Sequence, residues 1–469
     1  MTLRQIDRLG ECYQLDKQAV FITGLQAFVR LLLLQRRRDE RDGRNTAGFV
    51  SGYRGSPLGG LDREVWRADA AMHSANIRFE PGVNEELAAT AIWGTQQSSL
   101  FPETRVDGVF GLWYGKGPGV DRASDALKHG NLAGTSRFGG VIVAAGDDHN
   151  CKSSTIAQQS EFAFIDAMMP VLNPTTVQEL IEFGLLGYGL SRFCGCWVGM
   201  KAIPETADAS QTIDFDHDGV EIVEPEFDGP SGGLGIRWPD PPLAQEERLH
   251  RYRLDAARTF ARANGFDRIV DDSPNARIGI VTAGKTHSDT MEALEDLGLG
   301  GGRAAEAGIR VYKVGMTWPL EPQGALDFAA GLDEIIVVEE KRGVVEPQLK
   351  ELLFDTGGGA RPTIVGKRDE NGDWLLPSTG ELTAGLVEKA LAARLRRRLP
   401  NDGLDARLEF LDSQDDAIAR ISGNADRRPH FCSGCPHNTS TRVPSGSLAI
   451  GGIGCHFMAI WMGRSTETY

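Results

Sequence analysis

No run in this sequence approaches the ~18 uninterrupted apolar residues that a membrane-crossing helix requires. The most apolar stretch, Phe28–Leu34, is short and contains Arg30. No secretory leader opens the chain, so a cytoplasmic protein with no membrane partner is expected. Cations are also in short supply, with 50 Lys+Arg against 65 Asp+Glu and a formal charge of -15. Nucleic-acid phosphates are bound by clustered cations, so nucleic acid is not an expected partner. The two arginine runs, Arg36–Arg38 and Arg394–Arg398, read as solvated helix ends complementing the helix dipole. Cysteines number only seven, odd and unevenly bunched. That suits a reducing compartment, where thiols act as ligands or core residues and not as staples.

Glycine is abundant instead, 57 of 469 residues without a collagen period, as many tight strand-to-helix turns would require. The length predicts two to three domains at about 100–200 residues each. Short apolar runs bounded by helical patterns recur: Ala47–Val50, Val109–Trp113, Gly140–Ala145 and Cys196–Met200, then Ile278–Ala283, Ile309–Tyr312 and Ile335–Glu339. Doubly apolar runs of this kind are buried parallel strands, so the fold class is α/β with right-handed βαβ units. Helices are expected over Thr23–Gln35, after Asn84, after a Gly115/Gly117/Gly119 turn with Asp121 as cap, and from Ala244 to Asn264. Cys194 and Cys196 read as alternate residues of a strand, buried in the core. The divisions fall at 1–215, a proline-rich linker and helix at 216–274, a second α/β unit at 275–400, broken by Pro400-Asn401-Asp402-Gly403, and a final stretch at 426–469.

Two local patterns carry chemistry. Phe431-Cys432-Ser433-Gly434-Cys435-Pro436-His437 and Gly452-Ile453-Gly454-Cys455-His456 offer three thiolates that a metal could gather. Pro436 stands where a c-type haem site needs histidine. Zinc, with His437 or His456 as fourth ligand, and an iron–sulfur cluster remain equal alternatives from spacing. In Pro81-Gly82-Val83-Asn84-Glu85-Glu86, Asn84 reads as an N-cap with acidic residues in the first turn. At about 100° per residue, Glu85 falls in the arc of Ala89 and Ile92, whereas Glu86 lies nearer the edge. A carboxylate directed at an apolar wall is either paired or functional.

These segments, with Thr23-Gly24, Ser51-Gly52-Tyr53-Arg54-Gly55-Ser56-Pro57, Ala123–Leu127 and Val141–Val143 leading to Asp147-Asp148, resemble the thiamine-diphosphate-dependent 2-oxoacid:ferredoxin oxidoreductases. The likeness is strongest to the indolepyruvate type, specifically the front portion of its long fused bacterial form. The resemblance implies a pyrimidine-binding domain over 1–215, a transketolase-C-terminal-like domain over 275–400, and the start of a diphosphate-binding domain over 426–469. It implies oxidative decarboxylation of an aryl 2-oxo acid to the acyl-coenzyme A, with electrons passing through a [4Fe-4S] cluster to ferredoxin. Glu85 would hydrogen-bond the cofactor's aminopyrimidine ring, with Gly55 beside it. Ser56, Arg54, His149 and Lys152 would face the substrate. Cys432, Cys435 and Cys455 would ligate the cluster.

The Gly-Asp-Gly motif with its later Asn, which holds Mg2+ and the diphosphate in this family, is absent here, as are a fourth cluster cysteine and the small α/β domain. The expectation is therefore a piece of a larger or split enzyme, a homodimer completed by those domains. Alone it should bind thiamine diphosphate poorly and not turn over. The competing readings are a non-redox thiamine-diphosphate enzyme, either a 2-oxoacid decarboxylase or a transketolase-like protein, and a non-catalytic scaffold subunit with a zinc site.

Overall fold

A computed structural model describes residues 11–467 except 18, 155, 215–219, 356–360, 400–401, 422–429 and 453. The expected helix break at Pro400-Asn401, the onset of the last stretch at Asp426 and Ile453 of the glycine turn lie outside the described residues. The first region contains Ala19–Thr23 (β1), Thr46–Gly52 (β2), Ile77–Phe79 (β3), Gly108–Lys116 (β4), Val141–Gly146 (β5), Val171–Leu172 (β6), Val198–Ala202 (β7) and Ser210–Asp214 (β8). The second contains Arg268–Asp271 (β9), Ile278–Ala283 (β10), Ile309–Val314 (β11), Met316–Trp318 (β12), Glu334–Val338 (β13) and Thr363–Val365 (β14). Ala449–Ile450 (β15) and Thr466–Glu467 (β16) pair near the C-terminus.

The larger sheet has the order β12-β6-β7-β5-β4-β2-β3 and is parallel except for β12. Its side chains sort by the period of two that a pleated strand imposes. Phe110, Leu112, Tyr114, Ile142 and Ala144 enter the core beneath helices Gly24–Arg41 and Val177–Cys194. Trp113, Val141, Val143 and Ala145 enter the opposite core, beneath Glu85–Gln97 and Gly117–Ala133. Both faces are covered, which is why these strands read as continuous apolar runs. The second sheet, β14-β13-β10-β11-β9, is parallel except for β9 and likewise carries a core on each face.

Local chemistry explains most boundaries. Thr23 and Gln26 form a reciprocal capping box that starts helix 24–41. Asn84 caps helix 85–97 by accepting from the Leu87 amide at 2.8 Å. Several expectations need correction. Helix 117–133 is capped at Lys116, and Asp121 lies inside it. Gly115 belongs to β4, while Gly117 and Gly119 open the helix and leave no free turn. Cys194 and Cys196 are fully buried, but Cys194 ends helix 177–194 and Gly195 closes it at φ 76°. That left-handed glycine, not a strand, puts both thiols inside. The expected helix from Ala244 is interrupted by a π turn at Leu249–Arg253. There the buried Arg253 guanidinium takes the carbonyls of Asn131, Leu132 and Ala133 that helix 117–133 leaves over.

The arginine runs are solvated only in part: Arg396, Arg397 and Arg398 are exposed, whereas Arg36 and Arg394 are not. Arg36 is buried and Arg37 and Arg38 donate to the carbonyls of Leu15 and Val220. Arg394 is buried against Glu334 and Glu370, with Arg397 and Arg398 on Glu370 and Asp333. Guanidinium forks tie segments together here, a role the helix-dipole argument overlooks.

The second region lends a strand to the first sheet: β12 follows β11 after Gly315 but pairs antiparallel with β6. The crossover is held by Asp267, whose Oδ1 accepts from the Gly315 and Met316 amides at 2.8 and 3.1 Å. Lys313 and Arg268 of the second region both meet the buried Glu179 of the first. Burial pushes the Asp267 carboxyl up to about 7. A carboxyl raised in the fold favours the folded state below its unfolded value of about 3.9, and that benefit is lost as pH rises through 7. Asp267→Asn, which keeps an acceptor without the charge, should therefore gain stability relative to the native chain as pH rises. Thermal melts at about pH 5 and about pH 8 would show this as a widening gap; a constant gap would count against it. Among the described residues, no helix is long and apolar enough to cross a membrane.

Candidate active site

In the larger sheet the chain runs from β2 outward to β3, then returns to place β4 on the other side of β2. Helices leaving the carboxyl ends of β2 and β4 therefore diverge and open a crevice, the usual ligand position in such sheets. One wall is Tyr53–Pro57, after β2; the other is Lys116–Gly119, after β4. The segment after β3 delivers Glu85, and the segment after β5 delivers Asp147–Lys152.

Close contacts join these loops. The Tyr53 amide donates to the Tyr114 carbonyl and Gly82 to Gly52. A Cβ on Gly55 would stand 2.8 Å from Lys116 Cδ, and one on Gly146 would stand 3.0 Å from Pro57 Cδ. Glu85 is buried at 8% exposure, while Glu86 is exposed. The Glu85 carbonyl accepts from Trp113 Nε1 at 3.0 Å, and its Oε2 lies 3.7 Å from Arg122 Nε. A Cβ on Gly119 would come within 2.7 Å of Glu85 Cγ, so the glycine is what lets the carboxylate lie across the first turn of helix 117–133. Gly119→Ala should then displace Glu85 without weakening the helix, which alanine favours by up to ~1 kcal/mol. The expected result is an unchanged or higher melting temperature with reduced cofactor-dependent activity. Unchanged activity would show that Glu85 tolerates the shift.

The other expected residues are distributed around the same edge. Arg54 is largely exposed and pairs with the buried Asp62 at 3.3 Å; Asp62 also accepts from the Tyr114 hydroxyl. Ser56 is exposed, ahead of the buried Pro57. His149 is buried, with Nδ1 3.0 Å from the Gln158 carbonyl and no hydrogen-bond partner at Nε2. Burial, then the nearby Lys201 ammonium, lowers its pKa well below the usual imidazole range. At neutral pH it contributes a ring nitrogen and no charge. Lys152 is tied to Glu205 and Glu381, each at 3.1 Å.

A buried ionic network escaped the sequence reading. Lys201, 3% exposed, places Nζ 2.5 Å from Glu161 and 4.0 Å from Asp147. Burial opposes its charge, but Glu161 and Asp147 outweigh that and hold its pKa above the ordinary value. Asp147 is pushed up to about 6, chiefly by burial. From the second region, Lys341 donates to the His149 and Gly380 carbonyls, and Arg342 to the Gln159 side chain. The available signal was position: Lys201 and Glu339-Glu340-Lys341 are polar residues at the carboxyl ends of apolar strands.

Cys432, Cys435 and Cys455 lie in residues 430–467, where Arg464 ties the turn to Asn438 and Thr441. Cys432 and Cys455 are exposed, and Cys435 Sγ is 3.3 Å from His437 Nδ1. Among the described residues, no three His, Cys, Asp or Glu side chains are placed to hold one metal ion. The two cysteine turns lie side by side, with the His437 and His456 rings 6.1 Å apart.

Comparison with known proteins agrees with this architecture. The sequence profile described as the indolepyruvate oxidoreductase domain matches residues 268–417. The indolepyruvate oxidoreductase subunit IorA of Methanothermobacter thermautotrophicus is 24% identical, over 96% of this chain and 66% of that protein. The subunit of the same name from Pyrococcus abyssi is 25% identical, over 94% of this chain and 62% of that protein. The chain is thus similar to these indolepyruvate oxidoreductase subunits over nearly its whole length. It spans somewhat less than two thirds of the length of these relatives. A solved 2-oxoglutarate:ferredoxin oxidoreductase from Magnetococcus marinus shares the fold, with a TM-score of 0.54 and 16% identity over 81% of this chain and 66% of that one. The α/β fold is therefore shared with that oxidoreductase.

Proposed function

We propose that this chain contributes the pyrimidine-side half of the active site of an enzyme that oxidatively decarboxylates an aryl 2-oxo acid. The overall reaction converts the 2-oxo acid, coenzyme A and two oxidised ferredoxins to acyl-coenzyme A, CO2, two reduced ferredoxins and a proton. The carrying observation is Glu85: a buried carboxylate at the switch-point crevice, given room by Gly119. A carboxylate held there against an apolar wall fits an aminopyrimidine ring, whose ring nitrogen it would engage by hydrogen bonding. Thiamine diphosphate, when bound, supplies the electron sink for the pair released as CO2 departs.

The chain's own groups would bind and orient. Arg54, at the crevice mouth with only a 3.3 Å contact to Asp62, would turn to the substrate carboxylate. The Ser56 hydroxyl would lie beside the 2-oxo group, with Gly55 lining the cofactor. Lys152 would act by fixing its loop through Glu205 and Glu381, and His149 by holding the same loop against Gln158. Mg2+ and the diphosphate would be held by the remaining domains of the family plan, with which a homodimer forms the working enzyme. A [4Fe-4S] cluster on Cys432, Cys435 and Cys455 belongs to the family plan too. Cys432, Cys435 and Cys455, on two adjacent turns, would supply three of its ligands, and the cluster when bound would carry single electrons.

The competing reading is a non-redox thiamine-diphosphate decarboxylase, which would use Glu85 in the same way and have no role for the three thiols. Product analysis of the complete assembly with an aryl pyruvate separates the two. The proposal expects an arylacetyl-coenzyme A formed only when coenzyme A is present. An aryl acetaldehyde formed regardless of coenzyme A would support the decarboxylase.

A further inference from the structure

A second cavity of about 350 Å3 lies away from the crevice, beside the crossover from β11 to β12. Helix Leu254–Ala263, β9, β11 and helix Pro322–Ala329 surround it. Its floor is acidic and phenolic: Asp267, Tyr312 and Glu321 line it, with Asp327 beyond. Tyr312 is 3% exposed, yet its buried hydroxyl has no hydrogen-bond partner. The Asp267 Oδ2 atom is also buried without a partner, while Oδ1 holds the crossover amides. At Gly324, a Cβ would stand 2.8 Å from both the Tyr312 hydroxyl and Glu321 Oε2. Glu321 caps helix 322–329, its Oε1 accepting from the Gln323 amide and its Oε2 from Gly324 at 3.0 and 2.6 Å, and the bare Gly324 leaves the second lone pair of Oε2 and the Tyr312 hydroxyl open to the cavity. Arg262 and Arg268, each about half exposed, form the rim.

We propose that this cavity binds a free α-amino acid, its ammonium group on Asp267, Tyr312 and Glu321 and its carboxylate at Arg262. An ammonium has three donors, and two unpartnered buried oxygens with a glutamate answer them. A divalent cation is disfavoured by geometry, since no three carboxylates among the described residues are placed to share a metal. Arg262 reaches Glu321 and Asp327 only at 3.4 and 3.3 Å, so its guanidinium can turn to a ligand carboxylate at small cost. Arg268 is held on Glu179 at 2.9 Å and adds positive potential. Ala261 and Ile269 give the side chain an apolar surface. Because Asp267 also holds the turn that carries β12 into the first sheet, occupancy would stiffen the joint between the two sheets.

Isothermal titration calorimetry on the full chain tests this, using the common L-amino acids with ethylammonium and acetate as half-ligand probes. At least one amino acid should bind, ethylammonium more weakly, and acetate not measurably. Gly324→Ala, which fills the space beside these two oxygens from a helical position that accepts alanine, should weaken binding about tenfold or more. Tyr312→Phe should do the same while leaving the melting curve close to native. Binding should also fall below about pH 7, as Asp267 takes up a proton; Glu321, Tyr312, Arg262 and Asp327 face the same space and Arg268 flanks it. No binding at millimolar amino acid, or unchanged affinity in Gly324→Ala, overturns the site. Equal affinity for ethylammonium and the amino acid overturns the zwitterionic ligand.

Discussion

Glu85→Gln in the complete assembly is expected to lower 2-oxo acid oxidation by about two to four orders of magnitude, the range typical of a group that manages a proton. The amide retains the size of the carboxylate and can still lie across Gly119, so the melting temperature should hardly move. What is lost is an ionisable acceptor at the aminopyrimidine position. The Glu85 main-chain carbonyl still receives Trp113 Nε1, so helix 85–97 stays docked. Steady-state assays with calorimetric cofactor titration give the decisive combination: a large fall in kcat with an intact fold. A variant with near-native turnover would remove Glu85 from the chemistry and favour a scaffold.

The second large effect concerns stability. Lys201→Met should cost about 3–5 kcal/mol, because it strands the buried carboxylates of Glu161 and Asp147 without their cation. The loss should grow with pH, since Asp147, already pushed up to about 6, can escape the penalty by protonation at low pH. Adding Glu161→Gln should restore much of the stability, because a neutral buried pair avoids the uncompensated charge. Denaturant unfolding of the native, single and double variants measures this directly. A single variant as stable as the native chain would show that water reaches the network.

The parallel strands were legible because both faces of each sheet are covered and the apolar runs are continuous. Glu85 was legible because helical periodicity separates it from Glu86 with no tertiary information. Features that depend on contacts distant in sequence were not. Arg36–Arg38 and Arg394–Arg398 look alike as solvated cations and as structural ties, since only the fold supplies the Leu15, Val220, Glu334 and Glu370 oxygens. β12 is three residues long, too short for any periodicity, and its exchange into the other sheet depends on Asp267. Cys194 and Cys196 show the limit of a period-two reading, where a helix end closed by Gly195 buries two residues that alternate in sequence. Lys201 directly follows the Cys196–Met200 run, and only its pairing with Glu161 shows that it is buried.

The central claim, that the Glu85 crevice serves an oxidation and not a simple decarboxylation, is tested most directly by electron stoichiometry. The complete assembly is supplied with indolepyruvate, coenzyme A and oxidised ferredoxin, and reduced ferredoxin and CO2 are counted together. The account predicts two ferredoxins reduced per CO2, both products depending on coenzyme A and both lost in Glu85→Gln. CO2 release without ferredoxin reduction would contradict it.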